Sequence, residues 1–168
     1  MRKALIIGAV IAALILVGYS YLKVNPPLSA GASSSTNDRK VVLVSIGNRG
    51  SFGGIEITEV LINMNTPPAF VKIQVSDHTK GFIVSDQKNA LQSGDYTFKG
   101  LHEVTLPMGT DPQVQIDKMN NRKATAADKI YALTVTDELT IETVTIRYRY
   151  LGLTYETTIS TERLKQPA

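Results

Sequence analysis

From Ala4 to Leu22 the chain runs for nineteen residues without a charge, built mainly of Ala, Leu, Ile, Val and Gly, and only Met1, Arg2 and Lys3 precede it. Wound as a helix, such a run reaches about 28 Å, the thickness of the hydrocarbon layer of a bilayer. That length constrains the chain more than any other feature. It predicts a single transmembrane helix that meets the lipid bilayer through residues 4–22, and it leaves the remainder to fold as a separate body.

Charge gives the helix a direction. Arg2, Lys3 and the amino terminus crowd one end, whereas Lys23 stands alone at the other until Arg39 and Lys40. Basic residues beside a span resist translocation, so the short amino terminus is expected in the cytoplasm and residues 23 onward outside it. Tyr19 and Tyr21 fall at the outer end, where amphipathic rings favour the headgroup layer. The alternative is a signal peptide that is cleaved to release a secreted protein. Gly18 and Ser20 are small and suitably spaced for it, but the apolar run exceeds the usual 7–15 residues or so. The better small-x-small site, Ala30-Gly31-Ala32, lies well past the run. Retention as an anchor is the expectation. Gly8 and Ala12 have the spacing that lets two spans pack closely, although small residues are also ordinary in a lipid-facing helix.

About 130 residues follow Asp38, enough for one domain with a core and too few for two. The chain carries 18 basic and 15 acidic residues; without Arg2 and Lys3 the outer part holds 16 basic against 15 acidic. Such a near-neutral exterior with mixed signs argues against nucleic acid as a partner. There are no cysteines, so neither a disulfide nor a thiolate nucleophile is available. An exported domain without disulfides fits a bacterial cell envelope better than a eukaryotic secretory route.

The stretch from Lys23 to Asp38, rich in Pro, Ser, Ala and Gly, is too small and polar to bury anything and is expected as a flexible stalk over residues 23–38. Beyond it, short β-branched and aromatic runs recur between turn signals. Strands are predicted at 40–46, 55–62, 69–76, 80–85, 102–106, 113–117, 129–136, 140–150 and 153–160, with a helical turn only near 123–129. Val71, Ile73 and Val75 alternate with Lys72 and Gln74, as Tyr131, Leu133 and Val135 do with Thr134 and Thr136. Period-two alternation gives each sheet one apolar face, and two such sheets bury those faces against each other. The fold expected is all-β: an immunoglobulin-like antiparallel β-sandwich over 39–162, with a polar tail at 163–168. In 55–62 the apolar set switches from Ile55 and Ile57 to Val60 and Ile62, which requires a bulge near Thr58. A two-residue Leu151-Gly152 turn would place Arg147 opposite Glu156 and Tyr148 opposite Tyr155; a three-residue turn would shift that register by one.

Candidate chemistry is sparse. Asp77-His78 and His102-Glu103 hold all the imidazole, and neighbours in a strand point to opposite faces, so a metal site needs the fold to bring His78 and His102 together. Copper held by His102 with Met64, Met108 and Met119 would lack the cysteine of blue-copper centres. The Gly-rich 47–54 stretch lacks the Lys-Ser/Thr ending of a phosphate loop and reads as a mobile loop offering Arg49 and Phe52 to a partner. Arg147 and Arg149, interleaved with Tyr148 and Tyr150, would make a stacking platform or a core-and-solvent alternation, and the latter explains the pattern more simply. With no thiol and no Gly-x-Ser-x-Gly, the expectation is a non-catalytic binding or scaffolding module, without a cofactor, that meets an envelope protein. The alternatives are a metal-handling or enzymatic protein using Asp77, His78, His102 and Glu103, and a structural subunit assembling through its span or an edge strand.

Overall fold

The computed structural model describes residues 2–84 and 96–164. The apolar run forms one helix, α1 (Arg2–Val24), followed after three residues by β1 (Leu28–Ser35). Next come β2 (Val41–Asn48), β3 (Ile55–Ile62) and β4 (Phe70–Asp77). The short β5 (Thr97–Lys99) and β6 (Thr105–Leu106) precede α2 (Pro112–Asn120). Then β7 (Lys129–Thr136), β8 (Thr143–Tyr150) and β9 (Leu153–Ser160) complete the body. Two antiparallel sheets result, one ordered β1-β2-β7-β4-β5 and the other β6-β3-β8-β9.

The core lies between the sheets and is supplied by the alternation read from the sequence. Val42, Val44 and Ile46 of β2, Ile73 of β4 and Leu133 and Val135 of β7 meet Ile55, Ile57, Val60 and Ile62 of β3 and Val144, Ile146 and Tyr148 of β8. The bulge falls where the switch of apolar residues demands it: the β3–β8 register shifts between Ile57 and Glu59, so Thr58 is the extra residue. The β8–β9 hairpin has the two-residue turn, with Arg147 opposite Glu156 and Tyr148 opposite Tyr155. Leu151 and Gly152 both take positive φ, 49° and 78°, as a type I′ turn requires.

Six local expectations are corrected. Leu28–Ser35, expected within the stalk, is an edge strand that pairs with β2 along its length. An edge strand is held by backbone hydrogen bonds, which small residues donate as well as large ones. Residues 113–117 are helical because Asp111 caps the helix, accepting from the Gln113 amide at 3.0 Å, and Pro112 occupies the first turn. The turn of helix expected near 123–129 is irregular chain leading into β7. Residues 81–84, expected as part of a strand at 80–85, lie outside any strand and are fastened by the buried Gln74 side chain, which bonds the Ile83 carbonyl at 2.7 Å and the Ile83 amide at 3.2 Å. The 102–106 segment splits into a 3-10 turn at Leu101–Glu103 and the two-residue β6. At the carboxyl end a 3-10 turn, Glu162–Leu164, brings Leu164 against the core, so the body continues past 162. The rest of the expected tail, 165–168, lies outside the described residues, as does Ser85.

Candidate functional site

From Ile6 to Tyr21 the described side chains of α1 are exposed on every side of the helix. Ile6 is 63 % exposed, Leu14 67 % and Val17 67 %, and over Ile6–Val24 the helix is long and apolar enough to cross a membrane. Its last two turns behave differently. Leu22 packs against the sandwich core, and the Lys23 ammonium lies 5.9 Å from the Tyr19 ring and 5.5 Å from the Tyr155 ring of β9. Only Asn25, Pro26 and Pro27 separate the helix from β1, and Pro27 is already buried.

Around this junction the structure gathers most of the residues singled out for binding. The Arg49 amide donates to the Pro27 carbonyl at 3.0 Å, and Arg49 Nε donates to the Pro26 carbonyl at 2.9 Å. The loop that carries Arg49 is shaped from beneath by Asn48, which is fully buried. Its Nδ2 donates to the Gly53 and Leu106 carbonyls at 3.0 and 3.1 Å, and its Oδ1 accepts from the Gly50 amide at 2.8 Å. Gly50 is required because a β-carbon there would lie 2.5 Å from the Tyr150 hydroxyl. The loop then turns back through Gly53 at φ 64°, leaving Phe52 at its tip, 71 % exposed.

Two clefts flank the junction and share Pro26 as a wall. The larger, about 590 Å³, runs from Gly18, Tyr21 and Leu22 of α1 to Arg49, Phe52 and Leu151. The other, about 440 Å³, lies between Lys23 and the Arg147, Tyr155 and Glu156 side chains. Arg147 is held by two carboxylates, Glu59 Oε2 and Glu156 Oε2, each at 2.7 Å. Glu156 and then Glu59 raise its pKa further, so its charge is fixed and already answered. Arg149 is exposed on the same outer face of β8, opposite Glu56 of β3 and Thr154 of β9. The tyrosines between them face inward: Tyr148 and Tyr155 stack at 5.3 Å within the core. Burial raises the Tyr155 hydroxyl above its usual pKa, with the Tyr150 and Tyr19 hydroxyls adding to the rise. The pattern is core tyrosine and outward arginine.

The histidine pairs take separate structural places. His78 Nε2 is 3.0 Å from Gln115 Oε1 on α2, while His102 is exposed on its 3-10 turn. Asp77 accepts the Thr79 and Lys80 amides at 3.0 and 3.2 Å, and Glu103 accepts the Gly100 amide at 2.6 Å, so both acids serve as turn caps. Thr79 in the first place holds the Asp77 carboxyl below its ordinary pKa. Among the described residues no group of three or more His, Asp or Glu is placed to hold a metal ion. Met64, Met108 and Met119 are exposed, at 94, 53 and 51 %. A Ser-x-x-Lys spacing, Ser20 to Lys23, escaped the sequence reading; its lysine lies over the tyrosine rings. A second, Ser85 to Lys88, lies outside the described residues.

A smaller apolar cleft of about 150 Å³ separates α2 from the first sheet, lined by Phe82, Ile116, Met119, Ile130 and Tyr131 with His78 and Gln115 at its rim. Reading 113–117 as a strand hid it, although the Asp111-Pro112 dipeptide is a helix-start signal. No protein-family model, curated protein or solved structure matches the chain.

Proposed function

We propose that the chain is a single-pass membrane protein of a bacterial cell envelope, with a cytoplasmic amino terminus and an outer β-sandwich that acts as a non-catalytic binding or scaffolding module. The observation that carries this reading is α1, a helix whose described apolar side chains from Ile6 to Tyr21 are exposed and which runs within three residues into the first paired strand. A core helix of a soluble protein hides one face at least, whereas this one needs lipid to cover it. Retention rather than cleavage is favoured by the place of Ala30-Gly31-Ala32, which lies inside the paired part of β1, where cutting would remove half of an edge strand.

The sandwich is immunoglobulin-like in this reading. Taking β1, β2, β3, β4, β7, β8 and β9 as strands A to G, the orders β1-β2-β7-β4 and β3-β8-β9 reproduce the ABED and CFG sheets of the constant-type domain, with β5, β6 and α2 inserted between D and E. Such a fold hosts many functions, and the module reading rests on the clefts at the junction and on acids committed to turns and ion pairs rather than to a reacting centre.

The test is made on full-length protein in native membranes. The expected result is that the protein stays in the pellet after alkaline extraction, that protease added outside degrades the sandwich, and that crosslinking followed by affinity capture recovers an envelope protein. Release of a shortened soluble form would overturn the anchor. Turnover of an envelope substrate by the purified protein would overturn the non-catalytic assignment.

A further inference from the structure

The wall of the larger junction cleft reaches Gly18, six residues before the end of α1, which is about 9 Å along the helix axis. Phe52 and Leu151 line the same cleft, so the loop and the turn that carry them border the last turns of α1, from Gly18 to Leu22. Those helix residues belong to the apolar Ile6–Val24 window. If that window sits in a bilayer, whatever lies beside it at the same level sits there too.

We infer that the 49–53 loop and the 151–152 turn dip into the outer leaflet, with Phe52 and Leu151 as lipid-inserted side chains and the junction cleft filled by lipid. The inference rests on the membrane reading of α1. The chemistry of the patch agrees with it. Phe52 is 71 % exposed, Leu151 52 % and Tyr21 66 %, so three large apolar or amphipathic side chains face the same open cleft. Arg49 lines the same cleft and bonds the Pro26 carbonyl just past the end of α1, where phosphates would lie, and Lys23 stands across Pro26 in the neighbouring cleft, over Tyr155. The depth implied matches the 5–10 Å or so to which interfacial elements bury their apolar faces.

Leu151 supplies a second, independent observation. It is the first residue of a turn whose φ is positive, 49°, a conformation suited to Asn, Asp or Gly and costly for leucine. Leu151 keeps this costly conformation while half exposed, which holds a large apolar side chain at the rim of the cleft. The two tips form one surface, since a β-carbon on Gly53 would lie 3.1 Å from the Leu151 side chain.

The absence of cysteine allows single probes. Full-length Phe52→Cys, Leu151→Cys, Leu14→Cys and Met64→Cys proteins are labelled with a polarity-sensitive fluorophore and reconstituted in phosphatidylcholine–phosphatidylglycerol vesicles. Some of the lipid carries a nitroxide, either near the headgroup or deep in the acyl chain. Met64 lies in the turn after β3, a strand length of about 26 Å from the 49–54 loop. The expected result is strong deep quenching at Leu14, and shallow quenching at Phe52 and Leu151 several-fold above that at Met64. Quenching at Leu14 with Phe52 and Leu151 no higher than Met64 overturns this inference and leaves the anchor standing. No quenching at Leu14 overturns both. A label on the exposed neighbour Ser51, through Ser51→Cys, repeats the measurement with Phe52 intact, and must follow the Phe52 result for the inference to hold.

Discussion

Single residues decide two features that the strand pattern alone leaves open. The turn length of the last hairpin depends on whether leucine accepts a left-handed conformation. Its low propensity argues for three residues, yet the cross-strand partners Arg147–Glu156 and Tyr148–Tyr155 win and the turn has two. Leu151→Asn should therefore relieve strain and stabilise the folded protein by up to about 1 kcal/mol, seen as a raised Tm in scanning calorimetry. An unchanged or lower Tm would show that Leu151 is supported by contacts within the protein. Asn48 works in the opposite sense. It is buried with its amide serving two carbonyls and one backbone amide, and replacing it strands all three. Asn48→Ala should cost about 2–4 kcal/mol and loosen the 49–53 loop, read as a lower urea midpoint and faster amide exchange at Gly50. Nothing in the sequence distinguishes Asn48 from a loop asparagine, because its role depends on Leu106, which is distant in the chain.

At the scale of elements, the strands with clean alternation were legible to within a residue or two, and the bulge at Thr58 was legible because a one-residue switch of face has a single backbone explanation. Three of the segments misread are held largely by something other than burial. β1 is held by backbone pairing, 81–84 by the Gln74 and Ser76 side chains, and α2 by a cap at one end and an ion pair at the other. That ion pair has a pH signature. Lys118 on the last turn of α2 and then Thr125 hold the Asp128 carboxyl far below the ordinary carboxylate range. A carboxyl with a lower pKa folded than unfolded contributes stability that is complete above the unfolded value and disappears as pH falls through the folded one. Asp128→Asn should therefore lower Tm at neutral pH, and the gap from the unmodified protein should close as the solution is acidified below about pH 4. A gap that stays constant into acid would mean that the bond to Lys118 has no net effect. Asp77 and Asp38 are depressed in the same direction, each first by a threonine hydroxyl, so the variant retains part of the acid sensitivity.

Across the whole molecule, the change that matters most is the loss of the stalk. A flexible linker from 23 to 38 would let the sandwich swing freely at a distance from the bilayer. With β1 beginning at Leu28, Leu22 against the core, Lys23 over Tyr155 and Arg49 bonded to the Pro26 and Pro27 carbonyls, helix and sandwich are joined with almost no slack. This arrangement was not readable from composition, since the same small residues serve a linker and an edge strand equally well, and the backbone pairs that separate the two cases lie in β2. A module mounted in this way presents a fixed face to its surroundings and transmits a load or a tilt of the helix to the sheets. The consequence is measurable on full-length protein in vesicles by time-resolved anisotropy of a label at Met64→Cys. The unmodified junction should show slow, restricted rotation that follows the helix. Inserting ten Gly and Ser residues between Asn25 and Pro26, enough for a coil with a root-mean-square span of about 16–19 Å, should release fast tumbling of the sandwich alone. Equal fast tumbling with and without the insertion would show that the junction contacts do not hold at the membrane, and the sandwich would then act as a tethered module free to search for its partner.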